Sequence, residues 1–356
     1  NVLDYAITPT SLKDRNGLMF SDQGAWFAYS LPSNETNKGG FSGPFLMTQQ
    51  NGAWLSDISV KWSLKNNINQ SIIDWKKDKK ETSGYASHLE QLHSNNTVEV
   101  KQELCYLSGH TALQRISILN TSKKQQTIKP ELTGSLFDIG INISEENGFL
   151  VFRSDKSPAI GYLKIFDEEY NNQKLNDDSY SCMIKDFELQ PGEQKSIVVA
   201  QTFIFPEYSW KKEQQLIVST DFNVLLTKRK TEKDNQIKSL VNKKKSTYKD
   251  SIYNEVLAKA LLTLQNNWRI PAGEVKHAGL FPSYHYIWFN GFWSWDSWKH
   301  AVGMANYNLP LAKKQVKLMF EFQKEDGFIV DCVYRDTTIE KHNYRDTKPP
   351  LAAWAV

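Results

Sequence analysis

The chain has 356 residues, enough for two domains, and its 40% hydrophobic and 12% aromatic content is that of a globular protein with a large core. Its 43 basic and 40 acidic residues leave a formal charge of +3, a balance that points to neither nucleic acid nor an acidic surface as partner. No apolar run reaches membrane-spanning length, and Cys105, Cys182 and Cys332 are too scattered for a disulfide framework or a zinc site.

From Asn1 to about Asn223 the signals are for strands. Gly24 to Tyr29 and Leu55 to Leu64 alternate apolar and polar residues, with Asn, Gly, Ser and Pro clusters such as Pro32 to Gly40 between them. The clearest case is Thr97 to Ser108, where Val98, Val100, Gln102, Leu104 and Tyr106 share one face. Further strands are expected at Leu113 to Leu119, Gln126 to Leu136, Phe149 to Arg153, Ile160 to Ile165, Tyr180 to Leu189 and Ser196 to Phe205. Short strands joined by polar turns, with no crossover helices, argue an antiparallel sandwich or barrel. Trp26, Trp54, Trp62 and Trp75 would make a sugar platform if exposed and a sandwich core if turned inward, and core is the expectation. His93 and His110 have no partner in sequence and read as structural.

Residues 224–247 shift to Lys, Asn, Gln and Glu and read as a partly helical linker. Its basic run, Lys228 to Lys249, would give steeply salt-dependent DNA affinity if it bound nucleic acid. It carries no aromatic interleaving and reads as a solvated face.

From Tyr248 the period changes to three and four. Leu257, Leu261, Leu264 and Trp268 predict one helix, closed by Pro271-Ala272-Gly273. A short helix from about Trp295 to Asn306 and another through Leu311, Gln315, Leu318 or Met319, and Phe322 follow. Between the first of these helices and the second, and running into it, lies Phe281 to Lys299, FPSYHYIWFNGFWSWDSWK, with Trp288, Trp293, Trp295 and Trp298 around one carboxylate, Asp296. Aromatic faces stack on the apolar face of a pyranose while a carboxylate accepts from its hydroxyls. The plainer alternative is a buried aromatic core, which the turn signal Asn290-Gly291 weakens. If Ser294 caps a helix, Trp293, Asp296 and His300 share a face at its entrance. An acid in a first turn also answers the helix dipole, so Asp296 alone leaves cap and ligand both open.

A second motif, Asn343 to Pro350, reads NYRDTKPP and precedes LAAWAV, so Thr347 is an expected cap and Pro350 a first helical residue. Charges again gather at a helix entrance.

As an ordered pair, WSWDSWK and RDTKPPLAAWAV resemble glycoside hydrolase family 63, the family of bacterial α-glucosidases and of the eukaryotic glucosidase that trims glycoprotein glycans. The resemblance implies a multidomain fold: an antiparallel β super-sandwich at 1–223, a helical linker at 224–247, and the first helices of an (α/α)6 barrel at 248–356. It implies an inverting α-glucosidase acting on short α-glucosides or oligosaccharides. Phe292, Trp293, Trp295, Asp296, Trp298, Lys299, Arg345, Asp346 and Lys348 would then form or border the glucose subsite. Glu274, Asp331, Asp336 and Glu340 are, with Asp296 and Asp346, the candidate catalytic carboxylates of the helical part. The family's general acid and base are expected beyond Val356, because twelve helices need roughly 250 residues or more. A C-terminal continuation or a second chain would complete the barrel, and the isolated chain is expected to be inactive. The alternative is a non-catalytic sugar-binding or structural remnant. Hydrolysis needs no cofactor, no metal is expected, and the non-methionine start at Asn1 fits either a processed export signal, as in a periplasmic or extracellular protein, or a trimmed chain.

Overall fold

The computed structural model describes residues 2–33, 36–48, 52–138, 140–166, 168–284, 286, 289–338, 340–345 and 351–356, less the side chains of Lys79 and Lys174. An eight-stranded antiparallel sheet runs, in spatial order, Ile141–Glu146, Phe149–Ser154, Ser157–Phe166, Gln194–Ile204, Thr111–Asn120, Val98–Tyr106, Leu89–Ser94 and Lys79–Gly84. A second sheet centres on Gln126–Ser135, which pairs with Ser179–Ile184, Phe187–Leu189 and Lys61–Lys65. Val98, Val100, Leu104, Ile116 and Ile118 of the first sheet share one core with Ile128, Leu132, Tyr180 and Cys182 of the second. The expected antiparallel sandwich is therefore present, and period-two burial at its start explains why Val98 to Tyr106 was legible as a strand.

Two differences come from helices that the alternation does not announce. Where strands were expected up to Asn223, helix α1 spans Trp210–Val218, capped by the Ser209 hydroxyl accepting from Lys212 N. Where a linker was expected, helix α2 spans Phe222–Asn242, capped by Asp221 accepting from Val224 N. Both lie on the outer face of the eight-stranded sheet, where Ile217, Phe222, Leu225 and Leu226 cover Cys105, Leu113 and Ala200. That cover buries the second face of the Val98–Tyr106 strand as well, at Glu103 and Cys105.

The basic run is not a uniformly solvated face. Arg229 and Lys233 are buried, and their side chains donate to the fully buried Asp22 carboxylate at 2.5 and 3.0 Å. Burial alone would raise the Asp22 pKa, but Lys233 and Arg229 outweigh it and hold the group below its ordinary value. The α2 helix is thus clasped to the loop at Asp22 by charge as well as by apolar packing.

Helix α3, Ile252–Asn267, follows, then α4, Ser294–Ala305, α5, Leu309–Glu321, and α6, Ala352–Ala355. Among the described residues these four do not close into an (α/α)6 toroid. No described helix is long and apolar enough to cross a membrane.

The helical part and the sandwich share a second core, in which Trp26, Phe45, Trp54 and Phe205 pack with Phe281, Tyr284, Phe292, Trp298, Leu318 and Val333. Hydrogen bonds reinforce the join: the Trp26 indole donates to the Ile270 carbonyl at 3.0 Å, and the Tyr284 hydroxyl donates to the Met19 carbonyl at 2.5 Å. Trp26, Trp54 and Trp62 are buried core residues, as the inward reading expects, while Trp75 is half-buried. The three cysteines are buried and free.

Candidate functional site

The candidate site forms where the α4 N-terminus meets a short hairpin. Phe292–Trp293 pairs antiparallel with Cys332–Val333. Gly291 makes the pairing possible, because a Cβ there would stand 2.3 Å from the Cys332 sulfur and 2.7 Å from the Tyr334 ring. The chain then turns directly into α4. Trp293, not Ser294, is the N-cap residue, with extended backbone at φ −77° and ψ 130°, so the helix starts one residue earlier than expected and Asp296 falls in its first turn. Ser294 N donates to the Asp331 carbonyl at 2.8 Å, which satisfies one of the helix's first amide groups from the neighbouring hairpin.

Inside α4, the serine of the WDS triplet has a structural partner. Ser297 is fully buried and accepts from Gln315 Nε2 of α5 at 2.8 Å, while the Gln315 carbonyl oxygen accepts from Leu280 N. One buried amide therefore ties α4, α5 and the strand Gly279–Leu280 together. His300, one turn after Asp296, lies mostly buried against that same strand. Burial lowers its pKa to about 4, although its hydrogen bond to the Leu280 backbone works the other way.

The aromatic stretch divides into two populations. Phe281, Tyr284, Phe292 and Trp298 are buried: Phe292 packs on Trp26 and Phe281, and Trp298 lies 5.6 Å from the Phe320 ring. For these four the plain core reading holds, so Phe292 and Trp298 support the face from beneath instead of lining it. Trp293 and Trp295 are half-buried, and Tyr286 and Phe289 are exposed with ring centroids 5.2 Å apart. Lys299, one turn on, places its ammonium 3.9 Å above the Trp295 ring and so covers one of its faces.

From the second motif, Arg345 reaches the same place. Its guanidinium lies 5.2 Å from the Trp293 ring centroid, and its Nε donates to Asp331 Oδ2 at 3.0 Å. Asp331 is buried with 1% exposure, whereas the Arg345 side chain is 58% exposed. The structure thus brings Trp293, at the head of α4 and three residues before Asp296, together with Arg345 across the hairpin. Trp288, Asp346, Lys348, and the expected cap at Thr347 with its Pro350, lie outside the described residues.

Sequence reasoning named Asp331 as one carboxylate of six and gave it no place in the site. Of the others, Glu274 is exposed, Asp336 accepts from the Thr338 amide and hydroxyl of its own turn, and Glu340 is exposed. Elsewhere, one cluster among the described residues has cation-ligand spacing: His88, Glu90 and Glu103 in the sandwich. The Lys101 ammonium sits 3.0 Å from Glu90 and 3.1 Å from Glu103, and Arg115 pairs with Glu103 as well. The protein's own cations therefore neutralise that cluster.

Residues 10–147 match the family model described as the N-terminal region of glucosidase YgjK, and residues 290–356 match that of the mannosylglycerate hydrolase MGH1-like glycoside hydrolase domain. The chain thus carries glycoside-hydrolase-type regions in both its sandwich and its helical part. In fold it is similar to a provisionally assigned kojibiose phosphorylase from human microbiome, at a TM-score of 0.56 and 14% identity. That match covers 86% of this chain and 46% of the other, so the chain spans about half the length of that protein. A galactose mutarotase-like protein from Lactobacillus casei ATCC 334 aligns over 52% of this chain and 99% of its own, at 7% identity and a TM-score of 0.39.

Proposed function

We propose that this chain is the N-terminal part of an inverting α-glucosidase of the family 63 kind, acting on short α-glucosides, and that its contribution is to hold the glucose unit. The observation that carries the reading is the meeting of the two motifs: Arg345 stacks on Trp293 at the α4 entrance, in whose first turn Asp296 lies. A half-buried indole supplies the stacking surface, a first-turn carboxylate accepts from sugar hydroxyls, and a guanidinium donates to sugar oxygens. The two family matches, one in the sandwich and one across the site, support the substrate class.

In such an enzyme one carboxylic acid protonates the leaving oxygen while a second carboxylate takes a proton from the attacking water, with room for that water between them. In this reading both groups come from residues outside this chain, supplied by a continuation or a partner, and Asp296 is a ligand of the sugar. Glucose then binds this chain without being turned over.

The test is ligand-observed NMR and a hydrolysis assay of the 356-residue chain with methyl α-glucoside, an aryl α-glucoside and α-linked glucose disaccharides. Binding without turnover is expected, with Asp296→Asn weakening it about tenfold, the size of one lost hydrogen bond to a charged group. Turnover by this chain that vanishes in Asp296→Asn would show that the catalytic pair is here, and no binding at all would remove the sugar site. Repeating the assay with and without phosphate distinguishes hydrolysis from phosphorolysis.

A further inference from the structure

Among the described residues, Asp331 is the one carboxylate at the α4 entrance that the proposed reading leaves without a task. We infer that Asp331 is a positioning residue: it fixes the Arg345 guanidinium over Trp293 so that the outer edge of the fork faces a bound sugar, an inference that rests on the sugar-site reading above.

Three strands of backbone and side chain converge on this residue. The Asp331 carbonyl accepts from Ser294 N, the first residue of α4, at 2.8 Å, and its amide donates to the Asn343 carbonyl at 2.8 Å. Its carboxylate accepts from Arg345 Nε at 3.0 Å. Asn343 completes the arrangement, because its side-chain oxygen accepts from Arg345 N at 3.1 Å and so sets the turn that delivers the arginine. One residue therefore holds the helix that bears Asp296 and the segment that bears Arg345 in a fixed relation.

The chemistry of the fork gives this consequence. A guanidinium has five N–H donors in one plane, and spending the Nε–H on Asp331 leaves the two Nη groups. Among the described residues those groups make no hydrogen bond to the protein, and the side chain is 58% exposed. Stacking on Trp293 removes the remaining freedom to rotate out of plane. A lysine at position 345 would have one point charge to divide between Asp331 and the ligand, so the geometry requires arginine.

The experiment is a double-mutant cycle on the full chain with Asp331→Asn and Arg345→Gln, read by the affinity for methyl α-glucoside and by the Arg345 Nε–Hε resonance of arginine-labelled protein. Each single variant is expected to weaken binding about five- to tenfold, and the double variant no more than Arg345→Gln alone, because coupled residues are not additive. Asp331→Asn should also shift the Nε–Hε signal and speed its exchange with water, a readout that general loosening of the fold would not single out. Losses that multiply in the double variant, or an unchanged resonance in Asp331→Asn, overturn the inference. If Asp331→Asn fails to fold, Arg345→Lys decides: a loss like that of Arg345→Gln is expected, and full affinity overturns it. If the wild-type chain binds no sugar, the site reading fails, while the resonance still reports whether Asp331 holds Arg345.

Discussion

Of the buried carboxylates that face cations in this protein, Asp22 and Asp331 sit in pairs built for different ends. Asp22 is sealed, and so are its partners Arg229 and Lys233, with side-chain exposures of 4% and 5%. Asp331 is equally sealed, but its partner Arg345 is 58% exposed. In the first region every charge is spent within the fold, on clasping α2 to the sandwich. In the second the acid is structural and the cation keeps one edge in solvent, as a binding surface requires. Burial of the partner, not of the acid, sets this clasp apart from the proposed site.

The largest effect is expected from breaking the sealed clasp. Asp22→Asn leaves two buried cations without a counter-charge, and removing one member of a buried ionic group costs about 3 to 5 kcal/mol. Urea unfolding followed by far-UV circular dichroism should show the midpoint drop by the corresponding amount. A loss below about 1 kcal/mol would mean that water reaches Arg229 and Lys233 and that the clasp is an ordinary surface pair.

Acid sharpens the same contrast, since each region holds a histidine that burial keeps neutral. In the sandwich, burial and then the Lys80 charge lower the His93 pKa to about 4, and its Nε2 lies 3.2 Å from the Asn37 amide nitrogen. His300 beside α4 is lowered to about 4 as well. Both folded values lie below the ordinary 6.5, so the unfolded chain takes up protons first as pH falls. The stability they confer is complete above about pH 6.5 and is lost on the way down to about pH 4, by up to about 3 kcal/mol each. Asp22 is held below 3.8 and gives way only under more acidic conditions. His93→Gln and His300→Gln should each flatten the pH 6.5 to 4 slope of the urea midpoint, and an unchanged slope in both would remove the assignment.

How much of this was legible in the sequence follows from how far apart the partners lie. Alternation exposed the sandwich strands because both members of that signal sit in one segment, and periodicity placed α3, α4 and α5 within a few residues. The Asp22 clasp was illegible, since its cations lie 207 and 211 residues away in a run that looks solvated. The aromatic stretch was legible as a candidate site region but not in detail: Phe292 and Trp298 look like Trp293 and Trp295 until Trp26 and Phe320 are seen against them. Asp331 sits only 14 residues from Arg345, yet nothing in its neighbours marks it as the acid that turns inward.

Between the clasp and the open pair in expected size stands the hairpin that presents the site. Gly291→Ala would push a methyl group to within 2.3 Å of the Cys332 sulfur and force the Phe292–Trp293 strand away from its partner. Overpacking of this kind costs about 1 to 3 kcal/mol. Because Trp293 rides on that strand, sugar affinity should fall together with stability. An alanine variant with wild-type stability and reduced affinity would show that the hairpin shapes the site without supporting the fold.

The smallest effect on stability is expected at the open pair, and it is the one that decides the comparison. Arg345→Gln removes the cation from a buried acid, as Asp22→Asn removes the anion from buried cations, so an argument from the carboxylates alone predicts similar losses. The exposed guanidinium predicts otherwise. Water already solvates most of the Arg345 side chain, the glutamine amide can still donate toward Asp331, and pairs with one solvated member contribute about 1 kcal/mol or less. Its backbone amide bond to Asn343 is untouched by the substitution. Urea midpoints of the two variants, measured side by side at pH 7, should therefore differ severalfold in their displacement, while only Arg345→Gln weakens sugar binding at unchanged fold. Equal displacements would mean that Arg345 is a clasp like Arg229, and that its exposed edge is incidental to ligand binding.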